Sequence, residues 1–491
     1  MSGWLRGLFP VRREERGVVL TLYALLTVTV VANWIGKVGS NSIFIKKVGV
    51  TALPYAYILA PILLLVASTL IFSLVGRMRR RELFIWYVGV VAVLSIATQA
   101  AMDLGTPDYW WAYVFAQVVK DTVYLIFWIY AGNLFDSEQS KRIFPLFAGA
   151  LLIGKIAGGV LSSSLAPVIH SENFMAAQAV GFSAAFVAIL LYRKRLPEGE
   201  GAVVSGKVRP QGVGERFRGS VAGYRAVASD GLLRPFGLSI FFWYFLMQIG
   251  NYLFTYSLDS ATAGATTVQG AEDAYTLLYA SVFTIGSVIA LGIQTFLTGG
   301  LIRRLGVSLL LFVFPLWYVG WYAAGAVLGL TGVVGVLLQA GERIIVPAIH
   351  LPATQVVYNQ IASDLRPRAR AFFSGGVNAF AEIGAALVLV AGAIATDPRA
   401  VLVFGTACSV LFTGNTFVLR RTLGRRIVEN LRSEDPELRR NAAQMLGGEG
   451  RAIRTEELQS LLGEGSADVE ARVQAALLRR GALHIVKGRA D

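Results

Sequence analysis

Up to Leu419 the chain is a succession of long apolar runs separated by short polar stretches rich in arginine. A helix needs about 20 apolar residues to cross a hydrocarbon core roughly 30 Å thick. Runs that meet this stand at 17–36, 52–75, 83–102, 110–135, 144–167 and 174–192, and again at 235–258, 274–298, 305–324, 331–358, 371–395 and 399–419. The longest polar interruption, 193–234, divides them six and six, and its Gly-rich centre, Glu198-Gly199-Glu200-Gly201, reads as a flexible linker. The pattern predicts an all-α, polytopic membrane protein of 12 transmembrane helices. A cytoplasmic segment, 1–16, precedes a six-helix bundle, 17–192; the linker, 193–234, leads to a second bundle, 235–419; a cytoplasmic helical tail, 420–491, closes the chain.

Composition agrees. Hydrophobic residues make up 55% of the 491 and charged residues only 15%, with a mean hydropathy of +0.58. Soluble domains carry about 25% charged residues, so an ordinary cytosolic enzyme and a disordered chain are both excluded. Cys408 is the single cysteine, which excludes a disulfide framework and a multi-Cys metal site. The arginines at 6, 12, 13 and 16 lead into an apolar run too long for a cleavable signal peptide.

The net charge of +14 is open to several readings until it is placed on the topology. With the N-terminus inside, 38 of the 45 Lys and Arg residues fall in cytoplasmic loops, the linker and the tail. Only Lys37, Lys46, Lys47 and Arg399 lie on the other side. The excess is then an orientation signal. It predicts a multi-pass membrane protein with both termini in the cytoplasm, with membrane lipids and no nucleic acid as partners.

The tail changes character. Asp435-Pro436-Glu437-Leu438-Arg439 with Ala442-Ala443 recurs 33 residues later as Asp468-Val469-Glu470-Ala471-Arg472 with Ala475-Ala476. A fixed period with paired alanines is the signature of HEAT-type helical hairpins. Two hairpins are fewer than such arrays usually need, so they are expected to stack on the membrane domain or on a cytoplasmic protein partner.

Seven charges sit inside spans or, for Lys37, at a span's end: Lys37, Lys120, Asp121, Lys155, Glu342, Arg343 and Glu382. At about 2.5–3.5 kcal/mol each in mid-bilayer they must pair or line a cavity. Their placement repeats between halves. Gln117, Lys120 and Asp121 precede Gln339, Glu342 and Arg343 by 222 residues, with the signs reversed. Steps of three and four put each trio on one helical face, which Tyr124 and Trp128 extend in the first half and His350 and Thr354 in the second. Lys155 and Glu382 are opposed at an offset of 227, each followed by a glycine, Gly158 and Gly384. Ile35-Gly36-Lys37 likewise matches Ile249-Gly250-Asn251. Paired halves with polar groups near the midplane are how secondary transporters build a central site.

Gly149 to Lys155 fits the first seven positions of a phosphate-binding loop, but Ile156 replaces the Ser or Thr and the segment is apolar helix. No nucleophile elbow, zinc motif or dinucleotide fingerprint is present, so no enzyme activity, cofactor or metal is expected.

Two stretches carry a resemblance. Lys141-Arg142-Ile143-Phe144-Pro145-Leu146-Phe147, after Phe127-Trp128 and the acidic Asp136 and Glu138, resembles the fourth-to-fifth-helix signature of the ATP/ADP antiporters of plastids and intracellular bacteria. Pro352-Ala353-Thr354-Gln355-Val356-Val357-Tyr358, followed by Arg366, Arg368 and Arg370, resembles that family's tenth helix and its basic loop. The resemblance spans 17–419 and implies a major-facilitator-like fold and nucleotide antiport; some bacterial relatives are fused to HEAT-type repeats. Four positions depart from it. The first-helix basic cluster is reduced to Lys37, the fourth-helix Glu falls near Gln117, the Glu after the helix-ten Pro is Gln355, and the helix-eleven Lys is Glu382. To those charges the resemblance assigns nucleotide phosphates, so a related solute or a regulatory use of the scaffold stays open.

The expected cavity therefore holds Lys37, Gln117, Lys120, Asp121, Lys155, Asn251, Glu342, Arg343, Gln355 and Glu382, with Asp121, His350 and Glu382 as the candidates for ion coupling. The expected function is alternating-access transport of a small solute, a nucleotide-like or other organic anion. The alternatives are a non-transporting receptor or scaffold that recruits a partner through its tail, and a transporter of a lipid or amphipathic solute.

Overall fold

The structure, a computed structural model, describes residues 11–198 except 13, 76, 107, 133 and 136, residues 229–460 except 363–364, 392–397, 450–452 and 454, and residues 473, 474 and 477. In the first half, helices α1 (Arg16–Lys47), α2 (Leu53–Val75), α3 (Arg80–Asp103), α4 (Tyr109–Ala131), α5 (Ser137–Ile169) and α6 (Phe174–Tyr192) follow one another through short turns. In the second come α7 (Leu233–Ala261), α8 (Val268–Phe296) and α9 (Val313–Leu328). Next is α10, which runs Gly332–Ala340, then as a π-helix over Gly341–His350, then Leu351–Tyr358. In the same way α11 runs Arg366–Ala371, a π-helix Phe372–Val377, and Asn378–Val390; α12 is Pro398–Leu431, and the tail contributes α13 (Pro436–Glu449) and α14 (Thr455–Gln459).

Among the described residues ten helices are long and apolar enough to cross a membrane, which makes this a multi-pass membrane protein. The other two of the twelve expected passages are helical in a different way. α7 is 29 residues long but breaks its apolar run with Gln248, Asn251 and Asp259, and the apolar piece of α11 is 13 residues. Leu65, Leu70, Trp86, Val93, Leu191 and Phe296 are exposed apolar side chains on these helices, a surface suited to lipid.

Packing gathers the chain into two compact units, one formed by Met1–Gln211 with Thr255–Val288 and the other by Gly212–Phe254 with Ile289–Asp491. In the first, α1 packs against α4, α5 and α6, α3 against α6, and α2 against α4. Glycines permit the closest approaches: a Cβ on Gly158 of α5 would stand 2.7 Å from the Trp34 Cβ of α1, and one on Gly39 of α1 would collide with Phe174 of α6. α1 also runs past Gly36, where its apolar pattern ends, because Lys37 to Ile45 are buried in this unit and their polar groups find partners there. Arg142, from the stretch that carries the family resemblance, sits 3.1 Å from Glu15. Burial would raise the Glu15 carboxyl, but the Arg12 N–H, Arg142 and Gln139 outweigh that and hold it below its ordinary range.

In the second unit α9 lies along α12, and α12 continues past the expected boundary at Leu419 into the tail. Its end buries Leu423, Ile427 and Leu431 in one cluster with Val357, Ile361 and Ala369. Ala442, Ala443 and Leu446 of α13 join that cluster, so the first paired-alanine surface packs on the unit's own core. Arg366 binds Glu437 at 3.0 Å, and Asn430 donates to the Gln360 carbonyl at 3.0 Å, fastening tail to α10–α11 loop. Asp468, Glu470, Ala471, Arg472, Ala475 and Ala476, the second copy of the repeat, lie outside the described residues, as do Gly199 to Gly201 of the linker.

Candidate functional site

The charges of the first unit form two groups. In α4, Lys120 and Asp121 pair at 3.4 Å with about a third to two-fifths of each side chain exposed (31% and 43%). A pair of sequence neighbours offsets charge at little geometric cost and by itself ties no two helices together, unlike a structural ion pair across an interface. One turn further along the same helix, Tyr124 lies under the Lys155 ammonium of α5, with Nζ 5.7 Å from the ring centroid. Lys37 is 5% exposed and rests on two aromatic faces, Trp34 at 5.0 Å and Phe283 at 5.6 Å. An aromatic face stabilises a desolvated cation by roughly 2 kcal/mol or more. Gln117 is half-buried one turn before Lys120.

In the second unit the sign-reversed counterpart forms the same motif. Arg343 pairs with Glu342 at 2.7 Å, each with 16% of its side chain exposed, and Gln339 donates to Glu342 at 3.2 Å. Here the backbone is π-helical, with i→i+5 bonds that shift the facing of everything downstream. That explains the position of His350: it does not prolong the Gln339–Glu342 stripe but is buried between the rings of Trp243, Phe314 and Phe412, with Trp243 at 4.8 Å. Thr354, a turn beyond, is buried beside it. Gln355 is exposed and accepts from Arg370 of α11 at 3.0 Å; Arg370 in turn lies 5.1 Å from the centre of the Tyr358 ring. Asn251 and Glu382 are each half-buried, in α7 and α11.

Two features escaped the sequence reading. The first is a polar network where α1 ends. Lys46 binds Asp259 at 2.5 Å; Lys47 lies 3.0 Å from Glu172 and 3.2 Å from Glu272, whose side chain is 1% exposed. Asp273 binds His170 at 2.8 Å and accepts from the Ser171 hydroxyl, and Asn41 donates to Tyr275 at 3.0 Å. Lys46 and Lys47 count only as topology signals in the sequence, because their partners stand more than 120 residues away.

The second feature is a cavity of about 260 Å³ in the second unit, reached by α7, α10 and α11. Trp243, Tyr244, Gln355, Tyr358, Arg370 and Asn378 are among its walls. A signal was present in the aromatic run Phe241-Phe242-Trp243-Tyr244-Phe245, but aromatics in an apolar helix equally suit lipid.

No family model matches this chain, and no curated protein matches it by sequence. Solved structures do. The nucleoside transporter NupG aligns over 83% of this chain and 98% of its own length, with a TM-score of 0.54 and 15% identity. The POT family transporter PepTSo aligns over 82% of this chain and 98% of its own at a TM-score of 0.56 and 11% identity. A D-xylose–proton symporter covers 81% and 96% at 0.53 and 14% identity. The chain thus has the all-helical fold of these solved transporters, in line with the all-α, multi-pass protein expected from its hydrophobic pattern. The finer placement among ATP/ADP antiporters finds no counterpart in these matches.

Proposed function

We propose that the protein is a secondary transporter that works by alternating access on a small organic anion, nucleotide-like or of related chemistry. The reading places it in the cytoplasmic membrane of a bacterium with both termini inside. The observation that carries it is the repetition of one motif in both units, an amide followed one turn later by an adjacent acid–base pair, Gln117 with Lys120–Asp121 and Gln339 with Glu342–Arg343. In each unit the pair is made by sequence neighbours and keeps part of its side-chain surface exposed, 31% and 43% for Lys120 and Asp121 and 16% each for Glu342 and Arg343. The transporter fold supports the same reading.

In the first unit Lys37, Lys120 and Lys155 are the candidate cationic contacts for an anion and Gln117 the candidate amide; in the second, Arg343 is the candidate cation and Asn251 and Gln355 the amides; Asp121 and Glu382 are the acids whose protonation would couple transport to an ion. His350, caged by aromatic rings, is the coupling candidate with the least access to solute. The receptor alternative has weaker support, because the paired alanines of the first tail hairpin already pack on their own unit. No particular observation favours a lipid substrate.

A thermal-unfolding screen tests this reading on the purified protein, with nucleotides, nucleosides, pyrimidine carboxylates, phosphates and lipid precursors. Binding to the folded state alone raises the unfolding temperature. The expected result is stabilisation by at least one organic anion. Stabilisation by none of the anions, together with free replacement of the span charges by Leu, contradicts it.

A further inference from the structure

The cavity of the second unit has a composition that names a ligand class. Its one full charge among the six named walls is Arg370, held by Gln355 at 3.0 Å and by the Tyr358 ring at 5.1 Å, so its guanidinium is oriented before any solute arrives. A planar guanidinium fixed in this way is built to receive a carboxylate or phosphate. Aromatic groups, Trp243, Tyr244 and Tyr358, supply flat apolar walls. Two polar atoms on the wall are buried without a hydrogen-bond partner: the Trp243 indole Nε1, on a side chain whose residue is 6% exposed, and the Asn378 Oδ1. A buried polar group left unsatisfied costs about 1–3 kcal/mol, so an occupant whose entry brings a polar atom within reach of this donor and acceptor gains by answering them.

We propose that this cavity binds a flat-ringed organic monoanion, its acid group on Arg370, its ring against Trp243 and Tyr358, and ring heteroatoms or carbonyls on Trp243 and Asn378. The volume limits size: about 260 Å³ corresponds to about nine waters. That matches the ring and acid group of a pyrimidine carboxylate or an aromatic acid. The inference rests on the transport reading for its meaning as a substrate site, and names the solute class that reading leaves open.

Titration calorimetry on the detergent-solubilised full chain tests it with three probes: orotate, which has ring and carboxylate; uracil, which has the ring alone; and glutarate, which has carboxylates and no ring. Orotate is expected to bind at least about tenfold more tightly than either of the others. Arg370→Gln should weaken orotate by about tenfold or more and leave uracil unchanged. Trp243→Phe, which keeps the ring and removes only the Nε1 donor, should weaken orotate by a few fold. Equal affinity for orotate and uracil, no binding of any probe, or full orotate affinity in Arg370→Gln would overturn the proposal. Because the assay requires no translocation, it separates two failures. Orotate binding without transport in liposomes leaves this site standing and removes the transport reading; transport that is indifferent to Arg370→Gln and Trp243→Phe does the reverse.

Discussion

Lys155 and Lys37 show how the protein keeps a cation inside an apolar bundle. Each ammonium rests on an aromatic face, Tyr124 for the first and Trp34 with Phe283 for the second. Replacing Lys155 with Ala should abolish transport while leaving the unfolding temperature nearly unchanged, because a half-buried charge is costly to keep and its removal costs little stability. A large fall in unfolding temperature would instead make Lys155 structural. At this scale the charged candidates were legible because ionised groups in apolar runs are expensive and stand out. Their aromatic supports were not, since Phe283 or Trp243 in a hydrophobic helix reads the same whether it faces lipid, core or cavity.

Helices are set by small residues at their crossings and by what closes their ends. Gly158 and Gly149 both lie in α5, but a Cβ at Gly158 would press on Trp34 and one at Gly149 would meet nothing within 4 Å. Gly158→Val should therefore lower stability by about 1–3 kcal/mol through overpacking, and Gly149→Val should be neutral or mildly stabilising, read by thermal unfolding of each variant. At the end of α1, Lys47 is the cation beside the buried Glu272, whose oxygens receive no directed hydrogen bond. Lys47→Ala should destabilise by about 1–3 kcal/mol, less than a fully buried pair because Lys47 is 27% exposed. Adding Glu272→Gln should recover most of that loss; no recovery would show that the carboxylate is not what Lys47 serves. Element existence was readable from apolar run length almost throughout. The extension of α1 past Gly36 was not, because its polar residues are satisfied by partners distant in sequence. Nor was the π-turn in α10, whose wider spacing takes His350 off the stripe that α-helical periodicity assigns it.

For the whole molecule, the all-helical, multi-pass pattern in the sequence corresponds to the fold of solved transporters, with ten helices among the described residues long and apolar enough to cross a membrane. The tail was only partly legible: its paired alanines marked a packing surface, but nothing local told that the surface would be used on the chain's own second unit. A truncation at 425 would remove Ile427 and Leu431 from that core, so the informative cut lies after Leu431. Deleting 432–491 should lower the unfolding temperature by exposing the cluster that Ala442 and Leu446 cover, and leave transport in place. Loss of transport with unchanged stability would assign the tail a direct role. The most direct measurement of the central claim is uptake of labelled organic anions, orotate and AMP among them, into liposomes containing the purified full chain. The account predicts uptake above protein-free liposomes that Lys155→Ala abolishes in a folded protein. Movement of no organic anion, with the span charges replaceable by Leu at no loss, would contradict it.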